Sequence, residues 1–174
     1  PEGYPGPAHD EVLVFDAEGK NRRVFYSATT ATMNLQLGQD GWVYLAERSR
    51  ILRIRDSDGD GIGDVEQTLA TLDTLADYPH NGLSGMAWDP QGGLVFSLGE
   101  NFGKDWTLSG TDGTQVSGRG EGGIFRCTPD GKGLRRIARG FWNPFGLLVR
   151  ADGEIFAAEN DPGSRPPCRL LHIV

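Results

Sequence analysis

The feature that most constrains the fold is a short internal repeat that occurs three times, at residues 35–47, 86–100 and 147–159. Each copy consists of an apolar strand, a turn containing glycine, and a second strand that ends in small residues and a glutamate. Glycines in these turns supply the positive φ of a tight hairpin, and the copies lie roughly 50–60 residues apart, the period of a propeller blade with insertions. The repeat therefore predicts consecutive hairpins arranged as blades.

Further strand pairs lie between the repeats. Residues 11–15 and 22–26 flank one turn, and residues 123–127 and 134–139 flank another. Residues 51–55 alternate apolar and basic side chains, as strands do. No segment keeps a 3.6-residue apolar period for three turns. We expect an all-β protein in which most connections are short turns.

Together these patterns predict a partial β-propeller over residues 1–174, with about three blades of a six-bladed ring. The approximate blade limits are 1–55, 56–140 and 141–174, the last being incomplete. Three blades cannot close a ring, since propellers have at least four. Either the chain is part of a longer propeller, or two copies associate to complete six blades. Because it opens on Pro1 and ends within an apolar run, we expect a piece of a longer protein.

Composition excludes some functions. The net charge is -7, whereas phosphate binding needs clustered Lys and Arg, so we expect no nucleic-acid partner. No apolar run approaches the roughly 20 residues of a spanning helix, and we expect no membrane contact from this segment. Two cysteines, Cys127 and Cys168, are too few for a disulfide framework and are interpreted as partly buried thiols.

An acidic loop follows residue 55. Its carboxylates occupy alternate positions, with glycine at the sixth: Asp56, Asp58, Asp60 and Asp64, with Gly61. Such spacing wraps a loop around one hard cation, and the carbonyl of Ile62 would add a further oxygen. Gln67 replaces the bidentate glutamate of a helix-loop-helix site, so we expect a calcium loop between two strands. An acidic hairpin without metal is the alternative.

Among the histidines, His80 has the context of a functional residue. It precedes the second repeat, in a loop leading to an inner strand, where propellers gather functional groups. Glu100 ends the same hairpin, and a carboxylate there would orient the imidazole and raise its basicity. The alternative is a loop histidine bonded to backbone.

The stretch 101–122 carries six glycines and no clear strand pattern, so it is interpreted as a long loop. Long loops in compact folds are usually functional. Trp106 would provide a stacking surface there, with Lys104 or Arg119 as partners of an anion. A solvated insertion is the alternative.

Four motifs carry a family resemblance: residues 79–82, 97–101, 140–146 and 159–170. In combination they resemble the six-bladed quinoprotein glucose/sorbosone dehydrogenase superfamily, above all the branch called membrane-bound dehydrogenase domains. The resemblance spans residues 30–174, about half of the family's propeller.

The resemblance implies roles for individual residues. His80 matches the base that takes the proton from a sugar C1 hydroxyl while hydride passes to pyrroloquinoline quinone (PQQ). Glu100 falls where the family has the aspartate that orients this base. Asp161 and Pro162 lie in a turn whose backbone oxygens would hold a calcium ion beside the cofactor.

The same resemblance assigns cofactor contact to Asn143. It also exposes a departure, because Trp142 occupies the place of the family's cofactor-binding arginine. The cationic partner of the reduced quinone is therefore missing at that position.

Three functions follow. The first is part of a PQQ- and calcium-dependent sugar or alcohol dehydrogenase outside the cytoplasm, in the bacterial periplasm or at the cell surface, with a cytochrome c module of the parent protein as a further partner. The second is a non-catalytic propeller that binds carbohydrate or protein, which Trp142 favours. The third is a calcium-dependent lactone hydrolase using a cluster at the inner strand ends: Glu47, Glu100, Asn143 and Glu159.

Overall fold

The protein is described by a computed structural model covering residues 9–78, 81–160 and 168–174. These residues contain no α-helix, and therefore none that could span a membrane. They form strands with the following bounds: β1 (Asp10–Val14), β2 (Arg23–Thr29), β3 (Thr32–Leu37), β4 (Val43–Glu47), β5 (Arg50–Arg55), β6 (Val65–Thr74), β7 (Leu83–Trp88), β8 (Leu94–Leu98), β9 (Asp105–Gly110), β10 (Gln115–Arg119), β11 (Gly122–Cys127), β12 (Arg135–Phe141), β13 (Pro144–Val149), β14 (Ile155–Glu159) and β15 (Arg169–Ile173).

The strands form antiparallel sheets built in the same way. One sheet begins with the meander β3-β4-β5-β6, a second has the order β7-β8-β11-β12, and a third contains β13-β14-β15. Strands β1 and β2 pair separately and pack on the first sheet through Val12 and Phe25. Strand β7 packs between β3 and β13, so the first strands of the three sheets lie side by side. The prediction of an all-β partial propeller with about three blades of a six-bladed ring is confirmed.

The first sheet extends further than the sequence indicated. Strand β6 pairs with β5 along its length, so the acidic loop connects two strands of one sheet and does not separate blades. The sheet thus runs to residue 74, beyond the expected blade limit at 55. The two ends of the acidic loop are held in register by the β5–β6 ladder, so the loop connects two paired strands, as expected.

The segment 101–122 is not an irregular loop. It contains the hairpin β9–β10, and β9 pairs with β6, so the hairpin adds two strands to the outer edge of the first sheet. The hairpin starts from the second sheet and joins the first, linking neighbouring blades. Its glycines concealed a strand pattern. Most of them stand beside the strand ends or in the turn, but Gly118 lies within β10, where a Cβ would be 2.4 Å from the Trp106 ring.

The main core lies between the first and second sheets. Trp106 of the inserted hairpin is buried there and contacts the ring of Phe125 edge to face, at 5.7 Å between centroids. Burying one such large side chain contributes roughly 1.5–3 kcal/mol. The core also includes Tyr44, Ile51 and Phe96. A smaller cluster that includes Val95, Ile124 and Ala157 joins the second sheet to the third, so neighbouring sheets share a core as blades of one ring do.

The turns of the repeats have the expected conformation. Gly41 and Gly153 have φ of 81° and 92°. In the second repeat the positive φ, 78°, belongs to Gly92 and not to Gly93. A Cβ on Gly93 would lie 2.5 Å from the guanidinium of Arg126, so close packing explains that glycine.

Candidate functional site

The second and third sheets meet at the end where their inner strands begin and their second strands finish. We call this end the upper face, and define it by residues 81–82, 99–102, 142–143 and 159–160. Its segments are joined by backbone hydrogen bonds: Gly99 donates to the Gly82 carbonyl at 3.0 Å, and Glu100 donates to the Trp142 carbonyl at 2.6 Å. The repeats thus bring the predicted motifs of two neighbouring blades together.

Three buried asparagines lie at the upper face. The Asn81 side chain donates to the Glu100 carbonyl at 2.7 Å, and the Asn101 side chain donates to the Gly99 carbonyl at 2.8 Å. Oδ1 of Asn143 is buried and accepts no hydrogen bond from the residues that the structure describes. An unpaired buried carbonyl oxygen is costly, and it marks a place where a ligand, an ion or a water can bind.

The carboxylate of Glu100 closes a tight turn. One oxygen accepts the N–H of Phe102 at 2.5 Å, and the other accepts the N–H of Gly103 at 2.9 Å. The predicted partner His80 lies outside the described residues, as does Pro79. The catalytic pairing of His80 with Glu100 stays a prediction.

The glutamates that end the other two repeats have a different role. Glu47 accepts the N–H of Thr30 at 3.0 Å and pairs with Arg50 at 2.5 Å. Glu159 accepts the N–H of Trp142 and pairs with Arg169. Each buried carboxylate therefore ties the segment before an inner strand to the arginine that starts the third strand. Their lone pairs serve the fold, which weakens the sequence-based expectation that they join a metal cluster.

Three aromatic rings form a row at the upper face, which we call the aromatic ridge: Tyr78, Phe102 and Trp142. The Phe102 ring lies edge to face against both others, at 5.6 Å from Tyr78 and 5.9 Å from Trp142. Phe102 and Tyr78 are about half exposed. Sequence reasoning found Trp142 and missed the other two, because neither belongs to a periodic pattern; their positions beside the 79–82 and 97–101 motifs were the available signal.

The predicted residues of the segment 101–122 lie elsewhere. Trp106 is buried in the core and cannot be a stacking surface. Lys104 and Arg119 are exposed on the outer hairpin, beside a groove of about 470 Å³, and Arg119 pairs with Asp105 at 3.3 Å. The hairpin forms the fifth and sixth strands of the first sheet, at the edge opposite the inner strand β3. Asn143, in contrast, directly precedes the inner strand β13 of the third sheet. A shared cofactor site for these cations and Asn143 stays a prediction.

In the acidic loop, the structure brings together three of the predicted ligands. Carboxylate oxygens of Asp56, Asp58 and Asp60 lie within 4.8 Å of one another. Asp64 instead accepts hydrogen bonds from the N–H and hydroxyl of Ser57. Backbone N–H groups of Gly61 and Gly59 lower the pKa of Asp56, so this carboxylate is ionised at neutral pH.

Three predicted metal ligands remain: Ile62, Asp161 and Pro162. Ile62 is exposed next to this cluster, and its N–H donates to Asp60 at 2.8 Å. Asp161 and Pro162 lie outside the described residues. A metal at either place stays a prediction.

The described residues do not by themselves fit PQQ. Trp142 offers no charge where the resemblance implies an arginine. The arginines at this end are engaged: Arg48 donates to the carbonyls of Ala76 and Tyr78, and Arg169 pairs with Glu159. No free cation from this set faces the carboxylates of a quinone at Asn143.

Comparison with solved structures identifies the architecture. A candidate gluconolactonase superposes with a TM-score of 0.58 at 16% identity, over 94% of this chain and 56% of that one. The fold is that of a β-propeller. A candidate 6-phosphogluconolactonase from Bacteroides uniformis gives a TM-score of 0.46 at 13% identity, over 92% of this chain and 46% of that one. A PQQ-bound aldose sugar dehydrogenase from Streptomyces coelicolor gives 0.42 at 16% identity, over 97% and 65%.

The likeness to the candidate gluconolactonase shows the fold and not the reaction, since unrelated chemistries share the propeller. No protein-family profile matches the chain, and no curated protein matches it. The chain spans about half the length of the candidate gluconolactonase.

Proposed function

We propose that the upper face binds a sugar or a sugar-derived lactone, and that the chain is part of a propeller enzyme acting on such a ligand. The aromatic ridge beside buried amides carries this proposal. The C–H face of a sugar ring packs against aromatic edges and faces, while amides orient its hydroxyls. The unpaired Oδ1 of Asn143 supplies an acceptor for a ligand hydroxyl.

Oxidation of a sugar or alcohol is the first candidate reaction. Asn81, which follows His80 in the sequence, is bonded to the Glu100 carbonyl, and this contact supports a base near the upper face. In this proposal His80 takes the hydroxyl proton. PQQ is the electron acceptor implied by the family resemblance. Because the described residues fit PQQ poorly, the experiment below compares turnover with and without it.

Hydrolysis of a lactone is the second candidate. An amide oxygen with free lone pairs, as in Asn143, is a ligand type that calcium accepts, and a bound cation would activate water. The solved structure of similar fold that is described as a candidate gluconolactonase acts as a precedent for this reaction on such a scaffold.

We further propose that calcium binds the acidic loop as a structural ion and that the protein works outside the cytoplasm. Loops of this ligand type match the calcium concentrations found there. A cytochrome c module of the same protein would be the partner if the reaction is an oxidation.

The experiment uses the full-length protein that carries this chain. Dye reduction with aldoses is measured with and without added PQQ and calcium, and δ-gluconolactone hydrolysis is followed in a pH-stat with and without calcium. Turnover in one assay selects that reaction. Binding of sugar without turnover indicates a non-catalytic propeller, and the absence of both binding and turnover contradicts the proposal.

The assignment of the base is tested separately. His80→Gln should abolish turnover and preserve ligand binding, because the amide cannot act as a base at neutral pH. His172→Gln is the matched control, since His172 stacks on Phe156 in the third sheet, away from the upper face. Undiminished turnover in His80→Gln would exclude His80 as the base.

A further inference from the structure

The turn after β8 holds Phe102 in an unusual conformation. Phe102 has φ of 50°, in the left-handed region that phenylalanine rarely adopts, and Gly103 follows with φ of 67°. Such strain persists only where the surroundings fix it, and it concentrates at functional sites.

Glu100 fixes this turn. Its two carboxylate oxygens accept the N–H groups of Phe102 and Gly103, at 2.5 and 2.9 Å. Hydrogen bonds to an ionised acceptor are roughly twice as strong as neutral ones. The turn is also enclosed: a Cβ on Gly120 would lie 2.8 Å from Oε1 of Glu100. The carboxylate is thus positioned to hold the peptide that presents the Phe102 ring.

The Phe102 ring joins three separate elements. Tyr78 precedes β7, Phe102 follows β8, and Trp142 precedes β13; Phe102 contacts both other rings. Its backbone conformation therefore decides whether the aromatic ridge is continuous. Half of the Phe102 side chain is exposed, so the ring also has a surface free for a ligand.

Resting on the proposed function, we infer that Phe102 is a specificity-determining residue that packs against a neutral sugar or lactone ring, and that Glu100 is the positioning residue that holds it. The ridge recognises the apolar face of a closed ring. Arg48 and Arg169 are bonded to protein acceptors, and Glu100 brings a negative charge. Phosphorylated or carboxylated sugars are disfavoured at this surface.

Substitutions of Phe102 and Glu100 can distinguish ligand packing by Phe102 from orientation of His80 by Glu100. Phe102→Ala should raise KM for δ-gluconolactone or D-glucose about tenfold with little change in kcat, because stacking contributes to binding. Phe15→Ala is the matched control, since Phe15 is 48% exposed against 50% for Phe102 and follows β1 away from the upper face. This control should leave KM unchanged.

A double-mutant cycle tests the positioning role. If Glu100 acts through Phe102, Glu100→Ala raises KM by a similar factor, and the double variant is no worse than Phe102→Ala alone. If Glu100 instead orients His80, kcat falls and the two effects multiply. That second result overturns the inference. Glu100→Asp, which retains a carboxylate, should recover part of the loss.

A readout independent of any ligand completes the test. Glu100→Gln should speed hydrogen exchange at the amides of Phe102 and Gly103, because a neutral amide replaces the carboxylate. Unchanged exchange contradicts the positioning role. An unmutated protein that neither binds nor converts sugar or lactone overturns the proposed function, and the ligand part of this inference with it. Preference for 6-phosphogluconolactone over δ-gluconolactone overturns the neutral-ligand inference alone.

Discussion

Glu47, Glu100 and Glu159 occupy equivalent positions in three repeats, yet their surroundings give them two different functions. In the first and third sheets, an arginine begins the third strand and pairs with the glutamate. In the second sheet this place is taken by Gly122, and the chain between β8 and β11 is diverted into the hairpin β9–β10. Glu100 consequently accepts the N–H groups of its own turn instead of pairing with an arginine.

The buried ion pair of the third sheet should be measurable in stability. Arg169→Ala leaves the Glu159 carboxylate, whose side chain is 1% exposed, without its cation. We expect a loss of about 1–3 kcal/mol in the free energy of unfolding, measured by urea denaturation. Arg150→Ala, which breaks only exposed pairs, should cost about 0.5 kcal/mol or less. Equal losses would contradict the structural role of Glu159.

The two thiols should differ sharply in reactivity. Burial raises the pKa of Cys127 from 9.0 to about 12, whereas Cys168 is exposed. At pH 8, iodoacetamide should label Cys168 in the folded protein and Cys127 only in urea, as mass spectrometry of peptides would show. Cys168→Ser serves as the control and should abolish labelling of the folded protein. Rapid labelling of Cys127 would contradict its burial.

The raised pKa of Cys127 also gives a pH dependence. The folded state keeps this thiol protonated where the unfolded chain loses the proton, so the stabilisation is complete below pH 9.0 and is lost progressively as the pH rises toward about 12. Cys127→Ser should remove this alkaline contribution. Denaturation curves between pH 8 and pH 11 would measure the difference.

At the scale of elements, the calcium ion proposed for the acidic loop should be measurable in stability. If calcium occupies the cluster of Asp56, Asp58 and Asp60, a 100-fold excess over Kd adds about 2.7 kcal/mol, which corresponds to a rise of roughly 5–10 °C in Tm. Asp58→Asn with Asp60→Asn should abolish this rise, and Glu18→Gln, an exposed carboxylate in another turn, should not. A Tm that does not change with calcium or a chelator would exclude a structural ion there.

Some structural elements could be predicted from the sequence and others could not. Hairpin turns were predictable because a positive φ leaves a glycine in the sequence, as at Gly41 and Gly153. The position of the hairpin β9–β10 was not predictable. Its pairing partner β6 lies about 30 residues earlier, and no local sequence pattern indicates which strand β9 pairs with. Of the candidate site, Asn143, Glu100 and Trp142 were found from motifs, while Phe102 depends on a backbone conformation that no residue pattern encodes.

At the scale of the whole molecule, apolar side chains are exposed on the first sheet, whose outer face the β1–β2 pair covers only in part, and on the outer face of the third sheet. On one side Leu35 and Leu37 of β3 are exposed, and on the other Leu148 and Leu170 are 59% and 75% exposed. The opposite face of the third sheet packs on the second sheet through Leu147 and Leu171. Alternating residues of one strand thus present apolar side chains on both faces, as a blade with neighbours on both sides requires.

The apolar outer faces predict how the chain behaves alone. A polypeptide of residues 1–174 should self-associate at micromolar concentration and bind an apolar dye, because these leucines would be covered by neighbouring blades in a six-bladed ring. Leu148→Lys with Leu170→Lys should reduce association in sedimentation velocity, whereas Leu75→Lys, at an exposed leucine outside the sheets, should not.

In the full-length protein the same pair of substitutions should have the opposite consequence. There each lysine would be placed between two blades, and burying a charge without a partner should lower the free energy of unfolding by at least about 2 kcal/mol. The two lysines should reduce self-association of residues 1–174 and also destabilise the full-length protein. Both results are expected only if this face of the third sheet packs against another blade. If the long protein tolerates both lysines, the third sheet forms an outer surface of the molecule, and the ring does not continue from it.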